Sequence, residues 1–192
     1  CVPMGEADTW TIFVYLCGTD LESEDGIGAD DLWEMKLATT NENVRFVVQT
    51  GGASQWSANY IRSTKLNRFV ISGGSIRCVQ EDAGETSMGS ADTLADFLSW
   101  GTALYPAAHM GLVLWNHGSG SISGVCFDET FEQDSLSLTE IGAALQYAAD
   151  GMTDLFEFVG FDACLMATVE TANLLVPYAR YMIASQETEP GG

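Results

Sequence analysis

Positive charge is what this chain has least of. Its 192 residues include seven cationic side chains, Lys36, Arg45, Arg62, Lys65, Arg68, Arg77 and Arg180, against 27 acidic ones, for a formal net charge of −20. Such a field repels polyanions, so nucleic acid and anionic membranes are excluded as expected partners, while cationic ligands are attracted. The same charge also serves plain solubility. Histidine is scarcer still, with only His109 and His117. No apolar run approaches the ~20 residues that cross a bilayer as a helix. The cysteines, Cys1, Cys17, Cys78, Cys126 and Cys164, are odd in number and irregularly spaced, with no Cys-x-x-Cys pair. That pattern excludes a disulfide framework and a zinc site.

The start, Cys1-Val2-Pro3-Met4-Gly5, has neither the basic flank nor the apolar stretch of a signal peptide. A processed or trimmed end is expected, and a cysteine at that position could carry the lipid of an exported surface protein. With 46 % hydrophobic residues the chain can bury one sizeable core.

Apolar runs punctuated by turn residues set the expected elements. Residues 9–17 (TWTIFVYLC) and 44–49 (VRFVVQ) read as buried strands. Residues 20–28 read as an acidic loop, and 29–39 as a helix through Leu32, Met35 and Leu37. Residues 58–80 alternate and carry Gly73-Gly74, the signature of antiparallel hairpins added to the sheet. A helix follows through Leu94, Phe97, Leu98, Gly101 and Leu104. Ser137-Leu138-Thr139-Glu140 has capping-box spacing and opens another, through Leu138, Ile141, Leu145 and Ala148. Leu165, Val169, Ala172 and Leu175 suggest a last helix, and residues 181–184 a last strand. Strands alternating with helices predict an α/β sandwich around a largely parallel sheet.

Two runs in that pattern end in reactive side chains. Met110-Gly111-Leu112-Val113-Leu114-Trp115-Asn116 leads to His117-Gly118-Ser119-Gly120, and Leu155-Phe156-Glu157-Phe158-Val159-Gly160-Phe161 leads to Asp162-Ala163-Cys164. In an open parallel sheet, sites form beyond the carboxyl ends of the strands, so both residues are expected on one rim. Cys164 falls where strand is expected to give way to helix, and a helix amino terminus favours thiolate. The small residues after His117 admit close backbone approach, and Gly118 N–H is a candidate oxyanion donor. The competing readings are a buried cysteine acting as a small hydrophobe and a histidine that closes a strand by bonding a carbonyl. His109 reads as a surface or capping residue, and Cys17 and Cys78 as core or near-core thiols. Positions 117 and 164 are 47 residues apart, close to the His-to-Cys interval of caspases, whose local cysteine signature is nevertheless absent.

The segments Trp115-Asn116-His117-Gly118-Ser119-Gly120 and Phe161-Asp162-Ala163-Cys164-Leu165-Met166-Ala167 resemble the clostripain family of cysteine peptidases, relatives of the caspases, legumains and gingipains. Met88-Gly89, Thr93-Leu94-Ala95-Asp96-Phe97 and Ala184-Ser185-Gln186-Glu187, leading to Glu189-Pro190-Gly191, support the resemblance. It implies one caspase-like peptidase domain over 1–192, which relatives continue past the Glu-Pro-Gly turn. It also implies a secreted or surface bacterial endopeptidase with a His-Cys dyad, cutting after Arg or Lys. His117 would be base and acid, Cys164 the nucleophile, and Gly118 and Cys164 the oxyanion donors. Asp162, Ser185, Glu187 and Glu189 would bind substrate. The implied partners are peptides with basic residues and the enzyme's own carboxy-terminal chain after cleavage. No cofactor is required. Some relatives use calcium, but the carboxylates of residues 126–134 match no calcium-loop spacing and read as a solvated loop. One departure stands out: relatives are often activated by self-cleavage after a basic residue between the histidine and the cysteine, and none lies between 117 and 164. A catalytically silent peptide-binding relative, or a peptidase of this fold with non-basic specificity, remain the alternatives.

Overall fold

In the computed structural model, which describes residues 8–190, the apolar run after Thr9 forms β1 (Trp10–Cys17) at the centre of a seven-stranded sheet. Its last five residues are all buried, four of them completely, as the near-continuous apolar run of a strand covered on both faces requires. A short helix α1 (Thr19–Ser23) and α2 (Ile27–Ala38) lead to β2 (Val44–Gly51), which pairs parallel to β1. The acidic stretch expected as a loop is therefore largely helical. It folds because Glu22 is buried among donors: its carboxylate accepts from Ala29 N–H (2.8 Å), Ser57 N–H (2.6 Å) and Ser57 Oγ (2.9 Å).

The strands β3 (Asn67–Ser72) and β4 (Ser75–Gln80) form a hairpin that extends the sheet antiparallel beyond β2. Gly73 and Gly74 both have positive φ, as a two-residue hairpin turn demands. The expectation of hairpins over 58–80 thus holds for 67–80 alone, since residues 58–66 carry no strand. Helix α3 (Ala91–Leu104) then crosses to β5 (His109–Trp115) on the other side of β1. A four-residue helix, α4 (Gly120–Ser123), precedes a small antiparallel sheet of β6 (Val125–Asp128) and β7 (Asp134–Leu136). Residues expected as a solvated acidic loop belong to that hairpin. Asp128 is buried and accepts from Met88 N–H and Thr130 N–H, both at 2.8 Å.

Helix α5 (Leu138–Ala149) opens on the expected capping box, with both reciprocal Ser137–Glu140 bonds formed. β8 (Phe156–Asp162) pairs parallel with β5. It is followed by α6 (Val169–Leu175) and the edge strand β9 (Ala179–Ile183). The sheet order is β4-β3-β2-β1-β5-β8-β9. Alternate strand residues feed two cores. Phe13, Tyr15, Leu112, Leu114 and Val159 pack with α3 and α5 on one face; Val14, Leu16, Val48 and Trp115 pack with Leu32 of α2 on the other.

The chain moves to opposite sides of β1 to form β2 and β5. That reversal leaves a crevice beyond the carboxyl ends of β1 and β5, where sheets of this kind place their sites. Removing the Glu22 carboxylate strands three donors, the Ala29 N–H and the N–H and hydroxyl of Ser57. Glu22→Ala is expected to lower unfolding free energy by about 1–3 kcal/mol in a urea titration; an unchanged midpoint would show that the buried carboxylate is not what holds α1 and α2 in place.

Candidate active site

β5 and β8 run side by side, with Trp115 opposite Asp162. The register therefore delivers His117 and Cys164 two residues past the same rung. Asn116 N–H donates to Asp162 C=O (3.2 Å) and keeps the loops together past the last rung. The Asn116 side chain is buried, donating to Cys17 C=O (2.6 Å) and accepting from Phe127 N–H (2.8 Å), so the root of the histidine loop is tied to β1 and β6. At Gly118 the loops touch: a Cβ there would lie 2.3 Å from the carbonyl oxygen of Cys164 and 3.0 Å from Ala163 Cβ. Ser119 N–H donates to Gly124 C=O (2.9 Å) beside the isolated bridge of Gly118 to Val125.

Cys164 sits in a turn, not at a helix amino terminus. Leu165 takes a positive φ of 62°, and α6 begins only at Val169. The helix-dipole activation expected from the sequence does not apply. The thiol instead meets residues 185–190, which run antiparallel to the cysteine loop through Leu165 N–H to Glu187 C=O (3.1 Å) and Ala167 N–H to Ser185 C=O (2.8 Å). Glu189 N–H donates to Cys164 Sγ at 3.2 Å, and the thiol in turn lies 3.8 Å from Glu189 C=O. Cys17 and Cys126 are fully buried, and burial pushes both thiols up, away from reactivity. Cys78 is half-buried on β4. Cys1 lies outside the described residues.

His117 has a partner that the sequence did not reveal: its Nε2 is 2.9 Å from Asp20 Oδ1. Partial burial works against the Asp20 charge, but the hydrogen bond and charge of His117 outweigh it and hold the carboxyl below its usual range. His109 has company as well, contrary to expectation, stacking on Trp10 (4.8 Å between centroids) with Nδ1 3.0 Å from Glu157.

His117, Cys164, Asp162 and Glu189 line one cleft of about 190 Å³, together with Asp31 and the apolar walls of Leu21, Ile27, Trp115 and Ala163. Desolvation in the cleft raises Asp162, and Glu189 adds to it. Ser185 and Glu187 do not line the cleft; they close a local turn in which Ser185 Oγ accepts from Glu187 N–H (3.1 Å). Among the described residues, no group of three His, Cys, Asp or Glu side chains is arranged to hold a metal. No helix there is long and apolar enough to cross a membrane. Sequence reasoning missed Asp20, Asp31 and Asn116. Asn116 follows the end of β5 directly and Asp20 lies three residues past the end of β1, in α1, and nearness to a strand end was the signal available. Asp31 lies within a helix and gave none.

The chain that forms this cleft matches a known group of proteins in sequence. Residues 14–192 match the model of the clostripain family, peptidase C11. The chain belongs to that family. No curated protein sequence matches significantly. Among solved structures, a secreted C11 cysteine protease from Bacteroides thetaiotaomicron, in complex with an irreversible peptide inhibitor, superposes with a TM-score of 0.72 at 20 % identity, over 96 % of this chain and 51 % of its own. A second structure of a secreted C11 cysteine protease from that organism, called iotapain, gives 0.72 at 18 %, over 97 % and 55 %. An inactive zymogen C11 protease from Parabacteroides distasonis gives 0.70 at 21 %, over 98 % and 51 %. At these identities the likeness is one of fold, and the chain spans about half the length of these neighbours.

The His117–Asp20 contact makes a direct prediction. In an NMR titration the Asp20 carboxyl should ionise below the ~3.9 of a free aspartate, and His117→Ala should move that midpoint upward. An unmoved midpoint would mean that the imidazole is not what depresses it.

Proposed function

We propose that this chain carries the catalytic centre of a cysteine endopeptidase that cuts peptide bonds after arginine or lysine. One observation carries the reading: Cys164 and His117 share a small cleft with Asp31, Asp162 and Glu189, and no lysine or arginine lines it. Family membership supports the peptidase chemistry, and the cleft's charge supports the choice of substrate.

In this reading His117 donates Nε2–H to Asp20, which leaves Nδ1 free to take the thiol proton. Cys164 Sγ attacks the scissile carbonyl carbon. The oxyanion is held by Gly118 N–H and by the backbone N–H of Cys164. His117 returns the proton to the leaving amine, giving a thioester, and water then releases the acid and restores the thiol. A basic side chain before the cut lies in the cleft, its methylenes against Leu21, Ile27 and Trp115 and its head on carboxylate. Asp162, two residues before the nucleophile, is the first choice for that contact. Glu189 and Pro190 wall the site, while Ser185 and Glu187 shape the segment that carries them. Secretion or surface display fits the secreted neighbours. Substrates are proteins or peptides with basic residues, the enzyme's own carboxy-terminal chain among them, and the chemistry needs no cofactor.

Fluorogenic peptides run on the full-length protein test this. Cys164→Ala should abolish hydrolysis with the fold retained. Arginine peptides should outrun isosteric neutral ones about 100-fold, on the order of 3 kcal/mol, and Asp162→Asn should shrink that ratio. Equal rates on neutral peptides would remove basic specificity; a fully active Cys164→Ala would remove the nucleophile. Because no basic residue lies between 117 and 164, intact-mass analysis of active enzyme should find residues 121–133 uncut. A self-made break there would show that specificity is not strictly basic.

A further inference from the structure

We infer that a cavity at the carboxyl end of β2 receives the third residue after the scissile bond and selects a large apolar side chain there. The inference rests on the peptidase reading above and adds a second substrate contact to it. The cavity has a volume of about 460 Å³ and opens on the same rim of the sheet as the cleft of Cys164. It is walled by the loops after β2 and before β3, by the approach to α3 and by the turn between β6 and β7.

A track leads there from the catalytic pair. β6 begins at Val125, which bridges Gly118, the glycine assigned to the oxyanion, and ends at Asp128, in the cavity wall. Beyond it Glu129 N–H donates to Gly52 C=O (3.2 Å), also in the wall. That carbonyl accepts from Thr19 N–H (3.1 Å) as well, the residue before the Asp20 that holds His117. Gly118 and the cavity are thus joined by three steps of strand, at most about 10 Å, which an extended peptide covers in about three residues. The side is right too. The basic residue before the cut lies among Leu21, Ile27 and Trp115, which belong to the core on the α2 face, whereas Leu66 of the cavity belongs to the core on the opposite face. Side chains of an extended chain alternate in direction, so the residue before the cut and the third residue after it point to opposite sides.

The charges in the cavity wall already have partners. Lys65 pairs with Asp82 and Glu85. The Asp128 carboxylate accepts from Met88 N–H (2.8 Å), Thr130 N–H (2.8 Å) and Thr130 Oγ1 (2.6 Å). Phe131 also lines the cavity, and it is the one exposed phenylalanine among the described residues, at 42 %. An entering charged side chain would lose water without gaining a free partner. A large apolar one covers the Phe131 ring and removes apolar surface on both sides from water.

The experiment uses the full-length protein and internally quenched peptides that share one arginine before the cut and differ only at the third residue after it, in Phe, Ala or Glu. An arginyl coumarylamide, which has no residue after the cut, is run beside them. In kcat/KM the Phe peptide should outrun the Ala peptide about tenfold or more, with Glu no better than Ala. Phe131→Ala should lower the Phe-to-Ala ratio to about threefold or less and leave coumarylamide hydrolysis unchanged. Ser63→Trp, which fills the cavity from another loop, should do the same. The ratio is internal to each protein, so it does not depend on the fraction correctly folded. Equal rates on the Phe and Ala peptides, or a ratio that survives both variants, would overturn the inference and leave the peptidase reading standing, because the arginine substrates are still cut. If wild type cuts neither the peptides nor the coumarylamide, the peptidase reading falls and the inference falls with it.

Discussion

The approach of two loops at Gly118 is the constraint on which the rest of the site depends. A hydrogen at that α-carbon, in place of a methyl group, lets the histidine loop rest on the carbonyl of Cys164. The distance is set further back. Trp115 lies opposite Asp162 in the sheet, and Asn116 N–H extends the pairing by one bond. The Asn116 side chain then anchors the turn to β1 and β6 at once. Thiol and imidazole are therefore brought together by strand register and buried hydrogen bonds, which are stiff, rather than by the mobility of long loops.

Charge is arranged by the same economy. Two of the seven cations are buried within the fold: Arg45 Nε donates to Thr11 Oγ1 (2.9 Å), and Arg68 Nε donates to Gln49 Oε1 (2.9 Å) while its guanidinium lies 4.5 Å from the Trp100 ring. Others are held in surface pairs along the β3–β4 hairpin and near β9. The crevice beyond β1 and β5 is left without lysine or arginine, and its acids are partly desolvated by Leu21, Ile27 and Trp115. An exposed acidic surface in water would attract a cation weakly; acids in a confined, partly apolar cleft attract one more strongly because screening is reduced.

The elements that carry this arrangement were readable from the chain where the signal was local and continuous. The runs at 9–17 and 110–116, the capping box at Ser137 and the turn at Gly73-Gly74 each obey a short-range rule, and each appears within a residue or two of its expected place. The two adjacent strand ends that lead to His117 and Cys164 were equally legible. The misreadings have physical causes. Residues 20–28 look like a loop because Glu22 is charged, but tertiary donors from Ala29 and Ser57 make its burial favourable. Cys164 was placed at a helix start because Leu165, Val169 and Ala172 keep helical spacing; the positive φ of Leu165 and the antiparallel contact with residues 185–187 break the helix before it can begin. Asp20 and Asp31 reach the site through long-range packing, where no periodicity points.

Active-site labelling bears most directly on the claim that thiol, imidazole and carboxylates work as one centre. The full-length protein would be treated with an arginyl chloromethyl ketone and with its norleucyl analogue, and the adducts mapped by mass spectrometry. The account predicts a single adduct on Cys164, formed far faster by the arginyl reagent and suppressed by His117→Ala. Labelling at Cys78, or equal rates for the two reagents on Cys164 with no effect of His117→Ala, would contradict it.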